Sequence, residues 1–336
     1  MNVLFLLGNG FDLQLGLDTR YKDFYGYYKK LPSEDELIAN MKKNLNNYLD
    51  GKRNDLIDVN WEDLELALGQ YTAVINSYEE LKTVYLDINK ELMKYLMGQQ
   101  QRFDRTDKML EKLRDDFSQP ERYLSTNDKR RYLNLLDGNT NLFIYTFNYT
   151  NCCEVIFDKH APSPNANNGS TNLSPIQHIH GDLEMLNVLM GVNDESQIAN
   201  ESLVQDNRVK RMLIKPSTNN MLDNQKSKEL MSVIDNMKVI VIYGASLGES
   251  DKIWRQKLAQ RLKSESCYFL INEYQEGFDN IYDQSEVEEK AKADFIRKLG
   301  LGEEVEKYSP YVFVAVTKKM FGYEMIGRKF SGANRG

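Results

Sequence analysis

Residues Met1–Asp12, MNVLFLLGNGFD, constrain the fold more than any other stretch of the chain. The run Val3-Leu4-Phe5-Leu6-Leu7 has no polar position, so it suits a strand covered on both faces. It stops at Gly8-Asn9-Gly10, and helical apolar spacing begins at Phe11. A doubly buried strand that turns through glycine into a helix is the opening unit of an α/β protein with a parallel sheet. Glycine and Asn accept positive φ, and a turn without bulk lets backbone N–H groups meet an anion at the helix N-terminus. GNG falls short of the full G-x-G-x-x-G pattern. It therefore reads either as a phosphate cradle or as the glycine corner that any such fold needs.

A length of 336 residues suffices for one large α/β unit carrying an insertion. The net charge of −7 lacks the basic footprint of a nucleic-acid binder, and Lys129-Arg130-Arg131 sits among acids as a solvated helix face would. Three cysteines, Cys152, Cys153 and Cys267, form no spaced C-x-x-C pair, which argues against zinc and for a reducing compartment. The opening apolar run is too short for a membrane span and lacks the basic flank and cleavage site of a signal peptide. A soluble cytoplasmic protein is expected, with no membrane and no nucleic-acid partner.

Past the glycine turn, Tyr21, Phe24, Tyr25 and Tyr27 form an aromatic segment that reads as ordinary packing. From 33 to 137 the composition turns to Leu, Lys, Glu, Asn and Tyr, which predicts an all-helical insertion. Asn60 reads as an N-cap with Trp61 first in a helix running through Tyr95, its stripe marked by Leu64, Ala67, Leu68, Tyr71, Val74 and Ile75. Further helices are predicted over Gln101–Phe117 and Asn127–Leu136. Glu62 and Glu65 could reach a site, but acids in a first helical turn are routine dipole partners, the reading adopted for both.

Strand character returns at Asn141–Tyr145 and ends in Thr146-Phe147-Asn148-Tyr149-Thr150, where doubly wound sheets place their chemistry. A loop over Pro162–Pro175 leads to an extended Ile176–Asp182, whose His178 and His180 alternate and so share a face. No third ligand stands at metal spacing, and His180 beside Gly181 reads as a catalytic base. Leu186–Gly191 predicts a short strand, and Lys215 an anion contact or a plain surface lysine. Lys238–Tyr243 is a further strand, running into Gly244-Ala245-Ser246-Leu247-Gly248 and a helix marked by Asp251 and Trp254. A parallel sheet would bring this second glycine turn to the same edge as the first. Cys267–Ile271 is read as a strand ended by Asn272, a contact for an adenine edge or a turn cap; a helix over Ser285–Leu299 and a strand over Tyr311–Val316 follow. The expected fold is α/β and Rossmann-like, a mostly parallel sheet with helices on both faces. Its core comprises 1–32 and 138–327, with the insertion at 33–137 and a flexible tail at 328–336.

Five segments in order, GNGFD at 8–12, FNYT at 147–150, HIHG at 178–181, GASLGESD at 244–251 and INE at 271–273, resemble the AbiH family of bacterial abortive-infection proteins. They also follow the glycine turn, T-x-N, H-G, G-x-S-L and I-N order of the wider sirtuin-like (SIR2-like) fold. The resemblance implies a sheet that binds NAD extended across its edge. Gly8, Asn9, Gly10 and Asp12 would hold the phosphates and nearby ribose, and Gly244, Ser246 and Leu247 the adenosine-side ribose and phosphate. Asn272 would meet the adenine, Asn148 would orient the nicotinamide ribose or a water, and His180 would be the base. The four zinc cysteines of sirtuins are missing, so the resemblance does not extend to protein deacylation. It implies an NAD glycohydrolase that takes NAD as substrate without a metal and starves an infected cell. The alternatives are a nucleotide-sensing module without chemistry and an ADP-ribosyl transfer or cyclising enzyme. One histidine and one amide suffice for hydrolysis, because the pyridinium departs neutral and needs no general acid. Free activity would kill the host, so the resting state is expected to be inhibited by homo-oligomerisation, by the insertion or by release only on a phage-derived activator.

Overall fold

A computed structural model describes residues 1–54, 57–103, 105–157, 165–166, 169–221, 225–248, 251–275 and 281–322. The strands are β1 (Asn2–Leu7), β2 (Thr140–Thr146), β3 (Asn165–Ala166), β4 (Gly169–Leu173), β5 (Gln177–His178), β6 (Val239–Tyr243), β7 (Tyr268–Glu273) and β8 (Val312–Val316). They make one sheet in the order β3-β4-β2-β1-β6-β7-β8, with β5 pairing β2 further along the same edge as β4. All pairs are parallel except β3 with β4. β1 lies at the centre, Leu4 opposite Phe143 of β2 on one side and Ile240 of β6 on the other.

The unbroken apolar run of β1 is explained by its two covered faces. Val3, Phe5 and Leu7 point into one core cluster and Leu4 and Leu6 into another, as the two-residue side-chain period of a strand requires. Fifteen helices are described. The first eight are α1 (Asn9–Gln14), α2 (Tyr21–Tyr28), α3 (Glu36–Leu49), α4 (Leu64–Tyr71), α5 (Tyr78–Gln100), α6 (Asp107–Ser118), α7 (Thr126–Leu133) and α8 (Cys152–Ile156). Then come α9 (Glu201–Val204), α10 (Asn207–Leu213), α11 (Lys215–Met221), α12 (Lys226–Asp235), α13 (Lys252–Lys263), α14 (Ile281–Lys298) and α15 (Val305–Tyr308). Helices α6 to α8 cover the Phe5 face, and α12 to α15 the Leu4 face. The arrangement is α/β and Rossmann-like. The chain runs outward from β1 through β2 to β4 and then returns to β6 on the other side of β1. The order therefore reverses between β1 and β6, where open α/β sheets take ligands at their carboxyl ends.

A third cluster forms a helical lobe around Tyr25, Tyr28, Trp61 and Ile88, built from α2 to α5 together with residues 183–214. The stretch 33–137 thus divides by packing: α3 to α5 join the lobe, while Met109, Leu113 and Phe117 of α6 and Tyr132 of α7 lie on the sheet. Several local expectations need correction. The helix predicted from Asn60 starts at Leu64, because Asp63 is the residue whose carboxylate receives the N–H groups of Glu65 and Leu66, at 2.9 and 3.2 Å. It also stops at Tyr71, and α5 begins afresh behind Ser77, whose hydroxyl receives Glu80 N–H at 3.2 Å. The extended Ile176–Asp182 pairs only over Gln177–His178. Leu186–Gly191 is no strand. Its alternate residues Val188 and Met190 are buried in the lobe, while its backbone bonds are met largely by side chains. Part of the loop expected over 162–175 holds β3 and β4; the rest of it, at 162–164 and 167–168, and the tail at 328–336 lie outside the described residues. Among the described residues no helix is long and apolar enough to cross a membrane.

The segment after β8 closes the Phe5 face. Phe321 is fully buried, its ring 4.5 Å from Phe117, 4.8 Å from Tyr243 and 5.1 Å from Phe11. Buried Asp116 holds it there, receiving Phe321 N–H at 2.7 Å and Tyr123 Oη at 2.6 Å, with Lys112 as its counter-charge. Phe321→Ala should lower the unfolding free energy by about 3–5 kcal/mol, the cost of emptying a well-packed aromatic site. Urea titration checks this, and a loss below about 1 kcal/mol would mean the ring is not caged.

Candidate active site

The turn after β1 meets the turn after β6 backbone to backbone. Gly8 N–H donates to Tyr243 O and Gly10 N–H to Gly244 O, both at 2.9 Å. A Cβ at Gly8 would stand 2.4 Å from Ala245 Cα, and one at Gly10 2.5 Å from Gly244 Cα. Gly244 also holds φ +66°, a conformation that other residues resist. The glycines therefore serve a close approach of two turns, and the two N–H groups expected to face a phosphate are spent on carbonyls of the neighbouring turn. Asn9, the exposed residue between them, accepts from Thr19 Oγ1 at 2.5 Å through its Oδ1.

Beneath this seam lies a buried polar knot. Asp12 is turned inward, receiving Asn148 Nδ2 at 2.9 Å on one oxygen and Thr150 Oγ1 at 2.8 Å on the other. Asn148 Nδ2 also donates to Gly8 O at 3.1 Å, and Asn148 N–H to Thr146 Oγ1 at 3.0 Å. With its NH2 group so committed, the amide of Asn148 keeps Oδ1 without a protein partner among the described residues. Burial pushes the Asp12 carboxyl up to about 7, against the hydrogen bonds from Thr150 and Asn148 that pull it down.

The two histidines have different surroundings. His178 bridges Asn148 O at 2.9 Å and Glu154 Oε1 at 2.8 Å. Burial, the largest single influence, works to lower its pKa, but the Glu154 carboxylate, Asn148 O and Asp182 together outweigh it, so the net shift is upward. His180 instead packs its ring 5.5 Å from Phe147, and among the described residues neither ring nitrogen has a hydrogen-bond partner. Burial, reinforced by the charge of Lys215, holds it well below the usual histidine range, so it is neutral at pH 7. His180 thus packs on Phe147, the sequence neighbour of Asn148, and no hydrogen bond joins Asn148 and His180 side chains among the described residues.

On the far side of the seam, Ser246 is exposed and its carbonyl receives Lys298 Nζ at 2.8 Å. Leu247 has φ +49° and is only 2% exposed, its side chain packed in the core. Asn272, on β7, has a buried Oδ1 with no hydrogen-bond partner. Among the described residues there is no group of three or more His, Cys, Asp or Glu able to hold a metal ion.

Glu65 and Lys215 are the residues whose position the sequence reading missed. They form an ion pair at 2.6 Å with each side chain only 6% exposed, so Glu65 is no solvated dipole partner and Lys215 no surface lysine. One signal was present: LELALGQY of α4 offers no polar face for Glu65 to join. Burial pushes the Glu65 carboxyl up to about 7 against the pull of Lys215, and burial also raises Asp251 nearby.

A carboxyl raised by folding binds its proton more tightly in the native state, so its contribution to stability is complete below about pH 4 and lost as pH rises through about 7. Asp12→Asn should therefore reduce the fall of stability between about pH 4 and 7 by up to about 1.4 kcal/mol per pH unit, leaving the share that Glu65 contributes. Denaturation midpoints across that range check it, and a wild-type slope that survives the substitution contradicts the assignment. No curated protein matches the chain. Residues 4–273 run from β1 to the last residue of β7 and so hold both glycine turns, Asp12, Asn148 and His180; they match the family Bacteriophage abortive infection AbiH, and the chain belongs to that family.

Proposed function

We propose that this phage abortive-infection protein acts as an NAD glycohydrolase, releasing nicotinamide and ADP-ribose. The observation that carries the reading is the state of two groups at one corner. Asn148 is clamped by Asp12 and Gly8 O with its Oδ1 unused, and His180 is neutral with both ring nitrogens unused. Asn148 Oδ1 accepts from a ribose hydroxyl or from the attacking water. The C1′–N bond breaks with its electron pair going to the ring nitrogen, so nicotinamide leaves neutral. Water oxygen bonds C1′, and His180 takes the water proton. A neutral imidazole is the form required of a base, and clamping the amide beforehand lowers the cost of ordering it in the transition state.

The diphosphate falls to the exposed groups of the seam, Asn9, Gly244 and Ser246, since the Gly8 and Gly10 N–H groups are occupied. Asn272, with its buried free carbonyl, receives the adenine amino group. A second reading, a nucleotide-sensing module without chemistry, is favoured by the closed contact of the two turns. Transfer and cyclisation share the first step with hydrolysis.

Chromatography of NAD incubated with the chain, purified both from resting and from phage-infected cells, tests the reading. Nicotinamide release is expected, reduced at least ~100-fold by Asn148→Ala or His180→Ala with unfolding midpoints unchanged. No release from either preparation, or full turnover in both variants, refutes it; tight NAD binding without product supports the sensing module instead.

A further inference from the structure

The loop between α1 and α2 is fastened at both ends. Asp18 N–H donates to Gln99 Oε1 at 3.1 Å, Tyr95 Oη donates to Asp18 O at 2.7 Å, and Arg102 Nη1 pairs with Asp18 Oδ2 at 2.9 Å. Arg102 also donates to Gln99 Oε1 at 2.8 Å, so the end of α5 grips one loop residue by its N–H, its carbonyl and its side chain. Leu17 N–H closes the other end on Asp12 O at 3.1 Å. Thr19, the next residue, reaches across to the glycine turn, where its Oγ1 donates to Asn9 Oδ1 at 2.5 Å.

That bond decides which end of the Asn9 amide is available. An amide offers an acceptor oxygen and a donor NH2 group, whereas a diphosphate at neutral pH only accepts. With Oδ1 engaged by Thr19, the exposed Asn9 has Nδ2 left, and among the described residues no protein group takes it. The NH2 group matters because the neighbouring donors are gone: Gly8 N–H and Gly10 N–H are committed to Tyr243 O and Gly244 O. A free amide at a surface rotates and presents its oxygen as readily as its nitrogen, and fixing it on binding costs entropy. A hydroxyl already bonded to the oxygen removes much of that cost. Thr19 can serve in this way because Asp18 beside it is anchored.

We infer that Thr19 is a positioning residue that aims the NH2 group of Asn9 at the diphosphate of the dinucleotide, with the end of α5 holding it in place for that task. The inference rests on the glycohydrolase reading for the place of the diphosphate, and adds a residue that touches no substrate. Calorimetry on the full-length chain with ADP-ribose, which carries the diphosphate and has no nicotinamide bond left to cleave, tests it. Asn9→Ala and Thr19→Val should each weaken binding about 5-fold or more, and the double variant no more than about 2-fold beyond either one, because both remove the same contact. Thr19→Ser, which keeps the hydroxyl, should bind within about 2-fold of the parent. In turnover of NAD, Thr19→Val should raise KM with kcat within about 2-fold. A threonine that merely braced α1 would instead disturb Asp12, and through it Asn148, so that kcat would fall. Unchanged affinity in Thr19→Val, additive losses in the double variant, a fall in kcat in place of the rise in KM, or no ADP-ribose binding by the parent overturns the inference. Failure of nicotinamide release with the ADP-ribose pattern intact overturns the glycohydrolase reading alone, whereas release with that pattern absent overturns the inference alone.

Discussion

Two turns that touch at Gly8, Gly10 and Gly244 set the position of everything else at the carboxyl edge of the sheet. A side chain at any of the three would meet backbone at 2.4 to 2.5 Å, so the spacing between the ends of β1 and β6 has almost no freedom. That spacing fixes α1 and with it Asp12. Asp12 in turn clamps Asn148 and Thr150 from β2, across 136 and 138 residues of sequence. A backbone contact between neighbouring strands is thereby converted into the orientation of one amide. The same contact spends the N–H groups of Gly8 and Gly10 on carbonyls of the neighbouring turn.

Around this frame the buried polar groups divide into two sets. Asp12, Asn148 Nδ2, Thr150 and His178 are satisfied by one another, by backbone or by Glu154, as buried groups must be if the fold is to tolerate them. Asn272 Oδ1 is a buried atom without a partner, and among the described residues Asn148 Oδ1 and both nitrogens of His180 meet no protein partner. Unpaired polar atoms cost free energy in a folded core and are most common where a ligand completes them.

Packing against the sheet explains why the region 33–137 is not one body. Phe117 and Tyr132 cover the face of β1 and β2, whereas Trp61 and Ile88 build a separate core with residues 183–214. The lobe therefore owes about a third of its buried apolar residues to a segment that follows β5, and the strap at 188–192 is the seam between them. Through it Glu65, bonded by Gly191 N–H, and His180, whose carbonyl receives Leu189 N–H, meet the same short stretch, although the two are 115 residues apart.

Much of this was legible in the residues themselves. Val3–Leu7 and Val239–Tyr243 announce doubly buried strands because no position on either is polar, and the glycines that follow announce tight turns; the order of the five short motifs then points to the family. The one-dimensional pattern thus determined the class of fold, the doubly wound core and the candidate amide and imidazole. Only the folded chain decided their company. Whether Glu65 meets solvent or Lys215, whether Gly8 N–H faces an anion or Tyr243 O, and whether Leu186–Gly191 pairs as a strand or serves as a strap depend on partners far away in sequence. Local pattern encodes which face of an element is apolar; it does not encode which distant backbone will fill the space beside it.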